Sequence, residues 1–228
     1  MTGGMAGGGT GGGSGAGRSG PAGGRAEEAE PADTADEAVP AVARERHLQV
    51  PRSARYHVLG PAVGGPAADG AGEPVTEVWF VLHGYRQLAG PFLRRFEGLD
   101  DGGRLIVAPE GLSRFYVERV PGRHGPGSRV GASWMTRDDR EREIADYVRY
   151  LDLLADRVFE RVERTRRRVT VLGFSQGVAT AARWAVLGRW RADRLVLWGD
   201  TLPPDLPGEE ARERFARLDL ISVRGDTD

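Results

Sequence analysis

One stretch, residues 169–187, limits this chain more than any other. Val169-Thr170-Val171-Leu172 reads as a buried strand, and residues 178–187 read as a helix. Between them lies only Gly173-Phe174-Ser175-Gln176-Gly177. A strand that becomes a helix this abruptly forces its central residue into strained backbone geometry. The residues two places either side must be small, or their Cβ atoms collide with the turn. Gly173 and Gly177 meet that demand. The arrangement puts a serine hydroxyl at the carboxyl edge of a sheet, at a helix N-terminus that favours developing negative charge. In a chain with 34 glycines the pattern G-x-S-x-G means little alone; the strand before it and the helix after it give it weight. Ser175 is therefore a candidate nucleophile, the alternative being an ordinary turn with a helix-capping serine. The Gln176 backbone N–H is a candidate oxyanion donor. A second donor belongs on the loop after an earlier strand. Residues 75–82 end in such an apolar run, and His83-Gly84-Tyr85 follows it. Gly84 would let the backbone approach a substrate oxygen, with the Tyr85 N–H aimed at it.

The remaining pattern alternates strands with helices. His47-Leu48-Gln49-Val50 and Tyr56-His57-Val58-Leu59 predict edge strands separated by Pro51. Residues 60–73 predict a loop, and Leu105-Ile106-Val107-Ala108 a buried strand ended by Pro109. A short helix is expected from Pro91, carrying Phe92, Leu93 and Phe96 on one side. A long amphipathic helix is expected over 138–162, with Asp138, Asp139 and Glu141 in its first turn. The arginines after it, Arg164, Arg166, Arg167 and Arg168, read as a solvated helix end rather than a phosphate site. A strand at Leu195-Val196-Leu197-Trp198, a helix over 209–218 and a strand at Leu220-Ile221-Ser222-Val223 complete a mainly parallel α/β sheet flanked by helices. The link between the last two strands is too short for a lid domain.

The chain has 228 residues, enough for one domain with a sizeable core. Residues 1–45 stand apart: Gly-rich first, then acidic and rich in Ala and Pro. They predict a disordered tail, a tether or a dispensable leader, ahead of a domain over 46–228. With 32 basic and 33 acidic residues, net charge is -1, which gives no pull toward nucleic acid or anionic lipid. All the basic residues are Arg; Lys and Asn are absent, which fits a GC-rich genome. With no Cys, disulfides, thiolate metal sites and a Cys nucleophile are excluded. No run is long and apolar enough to span a membrane, and the N-terminus has no signal-peptide core. A cytoplasmic protein is expected; oligomeric state is not readable.

Leu82-His83-Gly84-Tyr85, Gly173-Phe174-Ser175-Gln176-Gly177 and the final Val223-Arg224-Gly225-Asp226-Thr227-Asp228 together resemble the phospholipase/carboxylesterase family of α/β hydrolases, which includes bacterial carboxylesterases and acyl-protein thioesterases. Ala108-Pro109-Glu110-Gly111 and Ser133-Trp134-Met135 resemble the family's strand end and its pocket-lining Trp segment. The resemblance runs from about residue 75 to the end. It implies the α/β-hydrolase fold and a serine hydrolase of carboxylic esters or thioesters, needing no cofactor or metal. It assigns Ser175 as nucleophile, Tyr85 and Gln176 as oxyanion N–H donors, and Asp228 as the acid that orients a catalytic His. His83, Trp134 and Met135 would line the pocket. Arg224 stands where the family usually has His. Asp226 lies close to Asp228, and Asp200 is a second candidate acid.

On this fold the triad runs Ser, acid, His. The four histidines, His47, His57, His83 and His124, all precede Ser175. Two explanations stay open: a chain truncated before its His, or a degenerate homologue that binds a ligand without turning it over. Truncation is the expectation, since the match is unbroken up to the last residue.

Overall fold

The computed structural model describes residues 43–61, 75–118, 123–162, 164 and 167–225. The chain divides into two compact units, Met1–Gln49 and Val50–Asp228. Of the first, residues 43–49 are described; they form no helix or strand, and His47 Nε2 lies 3.0 Å from Glu45 Oε1. The expected tail falls otherwise outside the described residues, as does most of the 60–73 loop.

The second unit is built on a six-stranded sheet. Its strands in chain order are β1 (Tyr56–Leu59), β2 (Glu77–Leu82), β3 (Arg104–Pro109), β6 (Arg168–Phe174), β7 (Arg194–Trp198) and β8 (Asp219–Val223). A separate two-stranded ribbon consists of β4 (Ser113–Tyr116) and β5 (Val130–Ser133). Spatial order in the main sheet is β1-β3-β2-β6-β7-β8. Only β1 is antiparallel to its neighbour; the other pairings are parallel. The parallel strands read as near-continuous apolar runs because both faces are covered. On one face Val78, Phe80, Leu82, Val169 and Val171 meet α2 (Arg140–Phe159) and α3 (Gln176–Leu187). On the other, Val81, Ile106, Ala108 and Leu172 meet Phe92, Leu93 and Phe96, from α1 (Ala89–Leu93) and the 3-10 turn Arg94–Leu99. Helix α4 (Gly208–Phe215) connects β7 to β8.

Several boundaries differ from expectation. His47 to Val50 form no strand: Leu48 and Val50 are exposed, and Pro51 withholds a ladder donor. Helix α1 begins at Ala89, two residues before Pro91, because the buried Glu110 carboxylate accepts the Ala89 N–H at 3.2 Å. That carboxylate also holds Arg55, at 2.7 and 3.1 Å. Asp138 and Asp139 precede α2, which starts at Arg140 with Glu141 and Glu143 in its first turn. Arg164 is a staple, bonding Asp193 and the Arg191 carbonyl across to the start of β7. No helix among the described residues is long and apolar enough to cross a membrane.

The strand order determines where a site can form. From β2 the chain moves outward to β3, and from β6 it moves outward the other way to β7 and β8. Adjacent strands whose connections leave in opposite directions open a crevice at their carboxyl ends. Here those strands are β2 and β6, which pair with Leu82 opposite Gly173.

Candidate active site

Both sequence-predicted motifs lie at that crevice. Strand β6 leads directly into Ser175, whose backbone has φ 51° and ψ -121°, a region that side chains rarely occupy. The conformation is held from three directions. The Ser175 N–H donates to the Trp198 carbonyl of β7 at 2.9 Å, and the Val178 N–H donates to the Ser175 carbonyl at 2.8 Å. The third constraint is close packing. A Cβ at Gly173 would overlap the Gly177 carbonyl, and one at Gly177 would overlap the Leu82 carbonyl and lie 2.8 Å from the His83 oxygen. The two glycines are thus required where the elbow presses on the end of β2. Ser175 is half-buried, and its side chain makes no capping hydrogen bond to α3. The helix-capping alternative is therefore not what this serine does.

The loop after β2 is fixed by its own polar groups. His83 is fully buried. Its Nδ1 lies 2.8 Å from the Gly84 carbonyl, and the Gly111 N–H donates to its Nε2 at 3.0 Å. A carbonyl can only accept, so Nδ1 carries the proton and Nε2 accepts. The ring is neutral, and burial holds its pKa below the ordinary value. It stacks on Trp134, whose indole N–H donates to the His83 carbonyl at 2.8 Å. Beyond it, the Gly84 N–H donates to the Gln87 side chain, and Arg86 and Gln87 bond Ala132 of β5. Arg86 takes the left-handed φ of 65°. The Tyr85 N–H has no hydrogen-bond partner among the described residues. The Tyr85 ring is half-exposed and stacks on Phe115 of β4 at 5.3 Å. The Gln176 N–H is the first of α3 and belongs to the set a helix cannot satisfy internally.

His83 and Trp134, expected to line the pocket, lie deep beneath the loop. At 0% and 2% exposure they support the loop through the bonds just described. Met135 is half-buried, with its carbonyl accepting from the Gln176 side chain and its sulfur 3.6 Å from Arg183 Nη1. Asp200 follows β7 on the surface, and its Oδ1 accepts the adjacent Thr201 N–H at 2.7 Å, the ordinary work of a turn aspartate. Asp226 and Asp228 lie outside the described residues.

Two further histidines of the second unit make other contacts. His57 is on β1, three strands from β6 and so about 14 Å across the sheet, with its ring against Gly90. His124 stacks on Tyr116 beside the β4–β5 ribbon at 3.8 Å. Sequence reasoning did not see the Gln176 side chain, which bonds residues 133–135. A polar residue directly after the serine, at the start of a buried helix, was the available signal.

No protein-family model matches the chain, and no curated protein matches it. Among solved structures it is similar to acyl-protein thioesterase 2 of Zea mays, with 19% identity, 76% of each chain covered and a TM-score of 0.51. A carboxylesterase of Bacillus cereus superposes with a TM-score of 0.46 at 14% identity, over 76% of this chain and 85% of that one. With the mostly parallel sheet flanked by helices, the first likeness shows that the chain has the α/β-hydrolase fold, as the resemblance implied.

Proposed function

We propose that the chain is a serine hydrolase of the phospholipase/carboxylesterase type, cleaving small carboxylic esters or thioesters through an acyl-Ser175 intermediate. One observation carries the reading: Ser175 is held at φ 51°, ψ -121° at the β2/β6 switch point, with its hydroxyl uncommitted to capping. In the proposed cycle Ser175 Oγ attacks the carbonyl carbon and loses its proton. The oxygen that gains charge is met by the Tyr85 and Gln176 N–H groups. The alcohol or thiol leaves with a proton, and water then cleaves the acyl-serine. No step calls for a metal or cofactor, and a cytoplasmic place of action belongs to the same proposal.

The base is the open element of this cycle. His83 is spent on Gly84 and Gly111, and His57 and His124 are packed elsewhere. Asp228 keeps the role of orienting acid that the resemblance gives it. With no histidine hydrogen-bonded to Ser175 among the described residues, the 228-residue chain is expected to acylate slowly. Its rate should stay near the residual enhancement of roughly 10³–10⁴ that binding and oxyanion contacts alone sustain. Incubation with p-nitrophenyl acetate followed by peptide mass mapping tests this. An acetyl group on Ser175, absent from Ser175→Ala, is expected; nitrophenolate release that Ser175→Ala leaves unchanged contradicts it.

The placement of the histidines favours a second reading, ligand binding without turnover. It would be supported by calorimetric binding of an ester together with no acyl adduct at any time.

A further inference from the structure

We infer that the Gln176 side chain is a positioning group: it ties residues 133–135 onto the nucleophile elbow and so fixes the direction of its own backbone N–H. The inference rests on the hydrolase reading above.

A glutamine amide has two donor and two acceptor positions. Gln176 Oε1 accepts the Trp134 N–H at 3.1 Å, with Ser133 Oγ at 3.4 Å. Its Nε2 donates to the Met135 carbonyl at 2.9 Å and to Ser133 Oγ at 3.1 Å. The Ser133 hydroxyl also reaches the Met135 carbonyl at 2.7 Å, closing the network on itself. Ser133 and Trp134 are buried, at 1% and 2% exposure, while Gln176 is half-buried, so these bonds are partly shielded from water and costly to leave unmade. No other side chain of this length both accepts and donates here. Glutamate would place a carboxylate against the Met135 carbonyl, and methionine would leave the Trp134 N–H without its partner.

The tie joins the two halves of the candidate oxyanion site. Trp134, held by Gln176 through its backbone, holds the His83 carbonyl through its indole, two residues before Tyr85. Seven residues along α3, on the same face, Arg183 reaches the Met135 sulfur and is itself held by Asp205 at 2.8 and 3.0 Å. The loop after β2 and the first turn of α3 are therefore set relative to one another through residues 133–135. Donors aimed at a developing oxyanion need placement within about 0.5 Å, and the first N–H of a helix has no intrahelical bond to steady it.

Gln176→Met keeps the length and removes the bonds. Two readouts separate the tie from its consequence: hydrogen exchange at the Trp134 amide, and fluorophosphonate labelling of Ser175 resolved into kinact and KI. Trp134 exchange should quicken at least ~10-fold, and kinact should fall about 10-fold with KI within about twofold. Ser133→Ala leaves the elbow sequence intact and should move both readouts in the same direction by less, which keeps the test available if Gln176→Met fails to fold. Unchanged Trp134 exchange, or faster exchange with unchanged kinact, overturns the inference. A wild-type chain that never labels overturns the hydrolase reading and the positioning role together, while the exchange data still decide whether the tie exists.

Discussion

His83 and Ser175 stand a few residues from the same crevice and have opposite characters. Ser175 carries backbone strain of about 1–3 kcal/mol, which the surrounding hydrogen bonds and two glycines over-determine. His83 is relaxed and fully bonded, and its chemistry is spent on holding the loop. That gives a pH signature. Burial lowers its pKa below the ordinary 6.5, so near and below that pH the unfolded chain binds a proton that the folded chain refuses. The contribution is fully present above pH 6.5 and is lost as pH falls toward the folded-state value, with a slope of at most about 1.4 kcal/mol per pH unit. Urea unfolding at pH 7.5 and 5.5 should show stability declining toward acid, and His83→Gln should flatten the decline. An undiminished slope in the variant would show that His83 is not its source. At this scale the sequence spoke clearly for Ser175, Gly173 and Gly177, because sterics alone dictate that pattern. It was silent on how deeply His83 and Trp134 are buried: a motif shows that a residue stands near a site, while burial depends on what packs over it.

The elements show why some segments were legible and others were not. Strands β2, β3, β6 and β7 are apolar runs buried on both faces, and α2 keeps an apolar stripe, so pattern and structure agree. The β4–β5 ribbon gave no such signal. Ser113-Arg114-Phe115-Tyr116 pairs with Val130-Gly131-Ala132-Ser133 across an intervening polar stretch, and its ladder follows from contacts distant in sequence. The arginine that matters most for joining elements, Arg183, lies inside α3 with its side chain 5% exposed. It bonds Asp205 bidentately, and Arg140 of α2 reaches the same carboxylate at 2.9 Å. The hydrogen bonds from Arg183 and Arg140 hold the Asp205 carboxyl well below the usual range. Asp205→Ala should strand the Arg183 guanidinium and cost about 2–4 kcal/mol, less than a fully buried pair because Asp205 is partly exposed. Arg183→Met combined with Asp205→Ala should recover most of that loss in denaturant melts. A double variant as unstable as the single one would mean that the pair does not act as a unit.

For the whole molecule, topology and chemistry make separate statements. Reversal of strand order between β2 and β6 creates the crevice, and both motifs read from the sequence end there. That convergence was legible because strand-to-loop order survives in sequence even where contacts do not. The base was legible only as a gap; among the described residues His83 is bonded to Gly84 and Gly111, His57 packs against Gly90 and His124 stacks on Tyr116. A serine without an imidazole ionises through solvent. The labelling rate should therefore climb steadily from pH 6 to 9, with no plateau near neutrality. A sigmoid with a midpoint near 7 would instead reveal a histidine acting on Ser175.

The most direct test of the central claim is prolonged incubation of this chain with a fluorophosphonate, followed by peptide mass mapping. The account predicts a single slow adduct on Ser175, none in Ser175→Ala, and none on the other serines. Adduct on another residue, or labelling that survives in Ser175→Ala, would contradict it.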